Sequence, residues 1–291
     1  MYDCTIVGGG PCGVACAIYL KQAGYKVVII ENELIGGQPL QTTNITNVVG
    51  FIGDGNKFGE TLQEQISQNN IEVIYNEAKL VDKKLYIDNK EIETKTIVIA
   101  TGATPKKLPN IHKCHYCALC DGLLYKDKIV AIIGNGNSAF TEALYLSKFC
   151  KEINLLVSDK HRLLANEILQ KQVSETNNIK VKFYDKIFQS TEHNLILEHE
   201  KGLSEELVEY DGLFVSIGRT PNIDWIENCN EIQVDLNYNV KFNNDLEFNK
   251  NIFAGGDVID KPIKQISTAI NDGVVISQNI IKYLKENKNE N

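Results

Sequence analysis

Cys117 and Cys120, with Ala118 and Leu119 between them and Asp121 after them, are the residues of this chain best suited to chemistry. Two cysteines at this spacing can close a small disulfide. A thiolate there is readily stabilised and can attack another disulfide. Asp121 could give a proton to a departing thiolate or take one from an incoming thiol. Its plainer role is a helix cap or a solvated acid. Cys114 extends the run to Cys114-x-x-Cys117-x-x-Cys120, which raises an iron–sulfur or zinc site. No fourth ligand follows at suitable spacing, so no metal is expected. His112 and His115 flank the cysteines and are blander candidates, with packing or surface roles as the simplest reading.

The cysteine pair lies about a dozen residues ahead of one glycine-rich loop, and a second such loop opens the chain. Gly8, Gly10 and Gly13, followed by Glu31, fit the dinucleotide fingerprint. The first glycine makes the turn, the second lets backbone approach a pyrophosphate, and the third packs helix on strand. An acid about twenty residues on can accept hydrogen bonds from ribose hydroxyls. The later loop has Gly134, Gly136 and Ala139, and alanine in the third place suits a nicotinamide dinucleotide domain. Its acceptor position is odd. Glu31 lies 23 residues after Gly8, and the same offset from Gly134 lands on Val157, followed by Ser158 and Asp159. Lys160, His161 and Arg162 come slightly late for a 2′-phosphate. A redox pair between two such loops implies electrons passing from a bound cofactor into sulfur.

These loops demand strand–turn–helix units on either side. Thr5-Ile6-Val7 reads as a strand, Val14 to Ala23 as a helix, and Lys26 to Ile30 as the next strand. The plan recurs with Lys128 to Ile133, Phe140 to Phe149, and Ile153 to Val157. Thr96 to Ala103 closes the first block, and Leu108-Pro109-Asn110 reads as a hinge. Asn251 to Asp257 returns to strand-then-glycine grammar before a last helix from about Gln265 to Leu284. The expected fold is α/β, with two Rossmann-like, three-layer dinucleotide-binding domains. The second is inserted into the first, so that residues 1–109 and 244–291 surround residues 110–243.

Composition narrows the class. The net charge of -8 weighs against nucleic acid, whose phosphates favour a basic face. No apolar run approaches the roughly 18 residues that span a bilayer. The opening Met1-Tyr2-Asp3 runs straight into a core strand, so no signal peptide is expected. Eight cysteines without an export signal suggest a reducing, cytoplasmic compartment. Cys4, Cys12, Cys16, Cys150 and Cys229 read as small buried hydrophobes. Lys106-Lys107 and Lys126-x-Lys128 are basic spots that could meet an acidic partner.

With these residues in hand, the chain resembles the low-molecular-weight thioredoxin reductases over nearly its whole length. The motifs run in order: Gly8-Gly9-Gly10-Pro11-x-Gly13, Gly36-Gly37-Gln38, Asn47, Ala100-Thr101-Gly102-Ala103, and Tyr116-Cys117-x-x-Cys120-Asp121-Gly122. Gly134-x-Gly136-Asn137-Ser138-Ala139 and Gly255-Gly256-Asp257 with Gln265-Ile266 complete them. The resemblance implies an FAD flavoprotein. Gly8, Gly10, Pro11 and Gly13 would hold the pyrophosphate and Glu31 the adenosine ribose. Gly37, Gln38, Asn47, Ala100, Thr101, Gly102, Gly256 and Asp257 would lie along the cofactor, with Lys264, Gln265 and Ile266. Lys264 stands where the family usually has arginine. The resemblance further implies that Cys120 lies nearer the flavin, that Cys117 attacks thioredoxin, and that Asp121 is the acid/base. It also implies a domain rotation that exposes the dithiol, a homodimer, and the small type without a C-terminal redox relay.

The electron donor is where the chain departs from that pattern. NADPH-using members carry His-Arg-Arg where this chain has Val157-Ser158-Asp159. A charge-assisted contact contributes about 1.5–3 kcal/mol, so losing two weakens NADPH binding on the order of a hundredfold. The first reading makes NADH the donor, with Asp159 on the ribose diol. The second, which the vanished arginines and compact length favour slightly, resembles the ferredoxin-linked flavin thioredoxin reductases. A flavin-dependent dithiol oxidase and a metal-binding regulatory flavoprotein are the alternatives of different class.

Overall fold

The computed structural model describes all residues except 43, 112, 159–162, 200–201, 230–239, 241–245, 250 and 288–291. The expectations for His112, Asp159, Lys160, His161 and Arg162 lie outside the described residues. The chain divides into two units, Met1–Thr104 with Thr220–Asn291, and Pro105–Arg219. The return to the first unit thus comes at 219/220, whereas the sequence pattern suggested 243/244. The reason is local. Ile226–Glu227 forms a strand parallel to Ala78–Val81, and Trp225 packs on the first unit's core.

The first unit is organised by a six-stranded sheet in the order Glu247–Asn249, Ile252–Ala254, Thr94–Ile99, Tyr2–Val7, Val27–Glu31, Glu72–Tyr75. All neighbours pair in parallel except the edge strand Glu247–Asn249. The central strands are near-continuous apolar runs, as a sheet covered on both faces requires. The helix Pro11–Gln22 starts at the end of the first strand and lies along Ile266–Glu286. A methyl on Gly273 would meet Cys12 O at 2.2 Å, so glycine sets how closely those helices approach.

The second unit repeats the plan on a smaller scale. A parallel sheet runs in the order Ile179–Phe183, Glu152–Val157, Ile129–Ile133, Gly212–Val215. One face packs against Asn137–Leu146 and Glu167–Ser174 through Phe140, Ala143, Leu146 and Val173. The other packs against an antiparallel sheet of Lys186–Ser190, Asn194–His199 and Ser204–Glu209 through Leu195, Leu197 and Val208. The chain passes between units in two short paired strands, Ala103–Pro105 and Arg219–Pro221.

Candidate functional site

The first unit gathers its candidate residues at the carboxyl ends of its parallel strands, where doubly wound sheets bind ligands. Gly8 follows Val7, Glu31 ends Val27–Glu31, Ala100 follows Ile99, and Gly255 follows Ala254. Gly8 has φ +112°, and a methyl there would lie 2.3 Å from Ala100 O. A methyl on Gly13 would strike Gly8 O at 2.0 Å. Gly10, by contrast, faces open space, and among the described residues no side chain caps the helix it begins. Pro11 opens that helix, its missing N–H harmless there. The free amide ends with the positive helix terminus make a ready cradle for an anionic pyrophosphate.

Other candidates lie against this turn or pair with one another. Gly36 donates its N–H to Gly9 O at 3.0 Å, and a methyl on Gly37, at φ +62°, would touch Gly10 Cα at 3.3 Å. Gln38 begins the short helical turn after them. Glu31 accepts from Gly9 N–H at 2.6 Å and Glu33 N–H at 2.9 Å. Its carboxylate therefore already braces the glycine loop. Asn47 donates to Gln265 Oε1 at 3.1 Å across 218 residues. Lys264 Nζ donates to Asp257 O at 2.8 Å. Gln265 caps the last helix, which Ile266 begins. The Thr101 hydroxyl donates to Asn222 O at 2.6 Å, and Gly102 O accepts from Asn222 N–H at 2.9 Å.

Sequence reasoning missed one support of this face. Asp272, buried in the last helix, accepts from Gly256 N–H at 2.9 Å and from Lys261 Nζ at 2.6 Å. It fixes the Gly255–Gly256 turn, where Gly256 has φ +80°. Flanked by Asn271 and Gly273, the acid carries no mark in the sequence.

In the second unit Cys117 and Cys120 are joined as a disulfide. Both sulfurs are engaged with each other, and Cys114 is free. Cys117 caps the short helix Ala118–Asp121, and its Sγ accepts from Cys120 N–H at 3.2 Å. Asp121 is buried, with Oδ2 3.0 Å from His115 Nδ1. Below the turn, Glu142 on Asn137–Leu146 accepts from Ala118 N–H and from the Ser216 side chain. Burial pushes its carboxyl up to about 7, against those two hydrogen bonds and the nearby Arg219. Glu142 too went unnoticed in sequence.

Four cysteines away from this pair, Cys4, Cys12, Cys16 and Cys150, are buried as expected, while Cys229 is half-buried. Burial pushes the Cys4 thiol up to about 12 and that of Cys150 up to about 11. Burial likewise raises Cys12 and Cys16, so these thiols stay protonated and inert.

The later glycine loop is also formed. Gly134 packs under Ser216 O, Gly136 faces open space, and Ala139 is buried. Residues 164–166 pack back on it. Leu164 and Ala165 each donate an N–H to Asn135 O at 3.0 Å, and Asn166 donates to Asn137 Oδ1 at 2.8 Å. Val157 is fully buried.

Among the described residues no helix is long and apolar enough to cross a membrane, and no group of three or more His, Cys, Asp or Glu could hold a metal. The sequence pattern of the family described as pyridine nucleotide-disulphide oxidoreductase matches residues 2–273. A thioredoxin reductase of Ureaplasma parvum is 32% identical over 99% of this chain and 98% of the relative. A Clostridium pasteurianum protein named as a 34.2 kDa protein in the rubredoxin operon is also 32% identical, over 97% of each chain. The crystal structure of a Streptococcus pyogenes thioredoxin reductase matches with a TM-score of 0.87 at 28% identity, over 98% of this chain and 99% of that one. The family implies FAD, and the open, uncapped Gly10 cradle fits such a cofactor. The chain therefore belongs to the pyridine nucleotide-disulphide oxidoreductases, as an FAD-dependent oxidoreductase of the thioredoxin reductase type acting on a disulfide.

Proposed function

We propose that this flavoenzyme reduces the disulfide of thioredoxin or a thioredoxin-like protein, drawing electrons from reduced ferredoxin rather than NADPH. The Cys117–Cys120 disulfide beside a buried Asp121 is the observation that carries the sulfur chemistry. Bound FAD would supply a carrier that takes electrons singly or in pairs. Gly8, Gly10, Pro11 and Gly13 would hold its pyrophosphate, and Glu31 its ribose. Gly37, Gln38, Asn47, Ala100, Thr101, Gly102, Gly256, Asp257, Lys264, Gln265 and Ile266 would line the rest. Cys117 would attack the partner, Cys120 would face the cofactor, and Asp121 would move the proton. The protein would act as a cytoplasmic homodimer.

The donor assignment rests on the second strand of the smaller unit. It ends in a fully buried Val157 instead of an acceptor or a cation. A relative named for a rubredoxin operon fits a protein electron donor. NADH is the second reading, favoured by the intact turn at Gly134 and the open Gly136. Anaerobic mixing of the flavin-loaded protein with reduced ferredoxin, NADH or NADPH, followed by flavin bleaching, separates them. Fast bleaching by ferredoxin alone is expected. Bleaching by micromolar NADPH would overturn the assignment.

A further inference from the structure

We infer that His115 is a positioning residue for the sulfur chemistry, holding one oxygen of Asp121 so that the other is presented to the cysteine pair; this rests on reading Cys117–Cys120 as the reacting disulfide.

The observations form a chain of contacts. His115 Nδ1 lies 3.0 Å from Asp121 Oδ2, and His115 Nε2 lies 2.7 Å from the Tyr125 hydroxyl. The side chains of His115 and Asp121 are only 21% and 11% exposed, so water screens the contact weakly. Asp121 Oδ1 is buried and has no hydrogen-bond partner among the described residues. A buried carboxylate oxygen left unpaired is costly, and such groups mark places where a ligand or reacting atom completes the set. The disulfide is in the same short helix.

The imidazole is held rigidly. His115 N–H donates to Leu213 O and Val215 N–H donates to His115 O, both at 2.8 Å, so its backbone is clamped beside the strand Gly212–Val215. Its ring lies 5.1 Å from the fully buried Phe214 ring and 5.4 Å from Tyr125. A methyl on Gly212 would enter the Tyr125 ring at 2.4 Å, so that glycine makes the room. Burial, with repulsion from Asp121, raises the Tyr125 phenol above its usual range, against an opposing pull from Lys113. The hydroxyl keeps its proton and is assigned as the donor to Nε2. Nδ1 then carries the ring hydrogen and donates to Asp121 Oδ2.

The thiolate of one cysteine attacks a substrate disulfide, forming a mixed disulfide and releasing one substrate thiolate. The second cysteine passes its thiol proton to Asp121 Oδ1 and attacks the mixed disulfide. The Cys117–Cys120 bond re-forms and the second substrate thiolate leaves. Two electrons have moved to the substrate, whose thiolates take one proton from Asp121 and one from water.

Other charges face this cluster. Lys128 lies over the Tyr125 ring at 5.7 Å, Lys113 and Asp211 act on the same phenol, and Glu142 with Arg219 lies on the Ala118 side. None of these is altered in the test. The full-length, flavin-loaded protein is reduced with a small dithiol, freed of reductant, and alkylated with iodoacetamide across pH. Mass spectrometry then reads Cys114, Cys117 and Cys120 separately. An anionic carboxylate raises the pH at which a neighbouring thiol ionises, and an N–H donor on that carboxylate tempers the effect. His115→Phe, which keeps the ring packing, should move the alkylation inflection of the cysteine pair up by about one pH unit. Asp121→Asn should move it down. The double variant should match Asp121→Asn, and His115→Gln, which retains a donor, should stay near the unaltered protein. An unchanged profile in His115→Phe, an equal shift in the Asp121→Asn background, or a full shift in His115→Gln would each overturn the inference. Thioredoxin turnover is measured separately. Its absence would defeat the functional reading and leave the alkylation order to decide the role of His115.

Discussion

In the first unit the turn after Tyr2–Val7 leads into a helix without a side-chain cap, and the neighbouring strand ends in Glu31, whose carboxylate reaches Gly9 N–H at 2.6 Å. In the second, the turn after Ile129–Ile133 also leads into a helix without a side-chain cap, but the neighbouring strand ends in the buried Val157. Gly10 and Gly136 both face open space. The contrast teaches that the cradle and the selector are separate inventions. Close packing of backbone on backbone preserves the glycine turn, whatever the ligand. The side chain proposed to choose a nucleotide sits one strand over, at the strand end, and can change without disturbing the turn.

That comparison can be broken experimentally, beginning with the sulfur that both units are proposed to serve. Cys120→Ser should lower thioredoxin reduction by about 10^4-fold while leaving flavin bound, read as steady-state turnover beside the visible spectrum. Retained turnover would remove the cysteine pair from the reaction. Restoring cations at the rim with Val157→His, Ser158→Arg and Asp159→Arg together should strengthen NADPH binding roughly a hundredfold, measured by calorimetry. The paired substitutions Gly10→Ala and Gly136→Ala sharpen the contrast. Each adds a methyl into open space at negative φ, so both proteins should unfold within about 0.5 kcal/mol of the parent. Gly10→Ala should still weaken FAD at least about tenfold by blocking pyrophosphate approach. Gly136→Ala should leave ferredoxin-driven bleaching unchanged, and a slowed NADH reaction would instead favour the dinucleotide donor.

The smallest effect concerns Glu142. Its carboxyl is raised to about 7 in the folded protein, chiefly by burial, from an ordinary 4.5. The folded state therefore binds that proton more tightly than the unfolded chain. Its stabilisation is complete below pH 4.5 and declines as pH rises through 7. The urea midpoint should drift downward over that window, and the drift should flatten in Glu142→Gln.

What the sequence disclosed follows from how locally each constraint is written. Gly8, Gly13 and Gly134 announce themselves because only a hydrogen fits against Ala100 O, Gly8 O and Ser216 O, and that demand falls on one residue. The cysteine pair is equally local. Lys261 and Asp272 were illegible because neither is unusual until a helix brings them together at 2.6 Å beneath Gly256. His115 was visible as a neighbour of the cysteines, but its meaning depends on Tyr125, ten residues on, and on Phe214, bridged from a distant strand. The return to the first unit was misplaced for a similar reason: Ile226–Glu227 is too short to register as a strand before it meets Ala78–Val81.

The smaller unit enters and leaves through adjoining strands, fastened by Lys106 N–H to Gly218 O at 3.0 Å on one side and Asn222 N–H to Gly102 O at 2.9 Å on the other. Its beginning and end therefore stand side by side, like the two feet of a staple. A body anchored this way behaves as a cassette. It can be exchanged for a homologous one, or its ends can be joined and new termini opened elsewhere, without stretching the host.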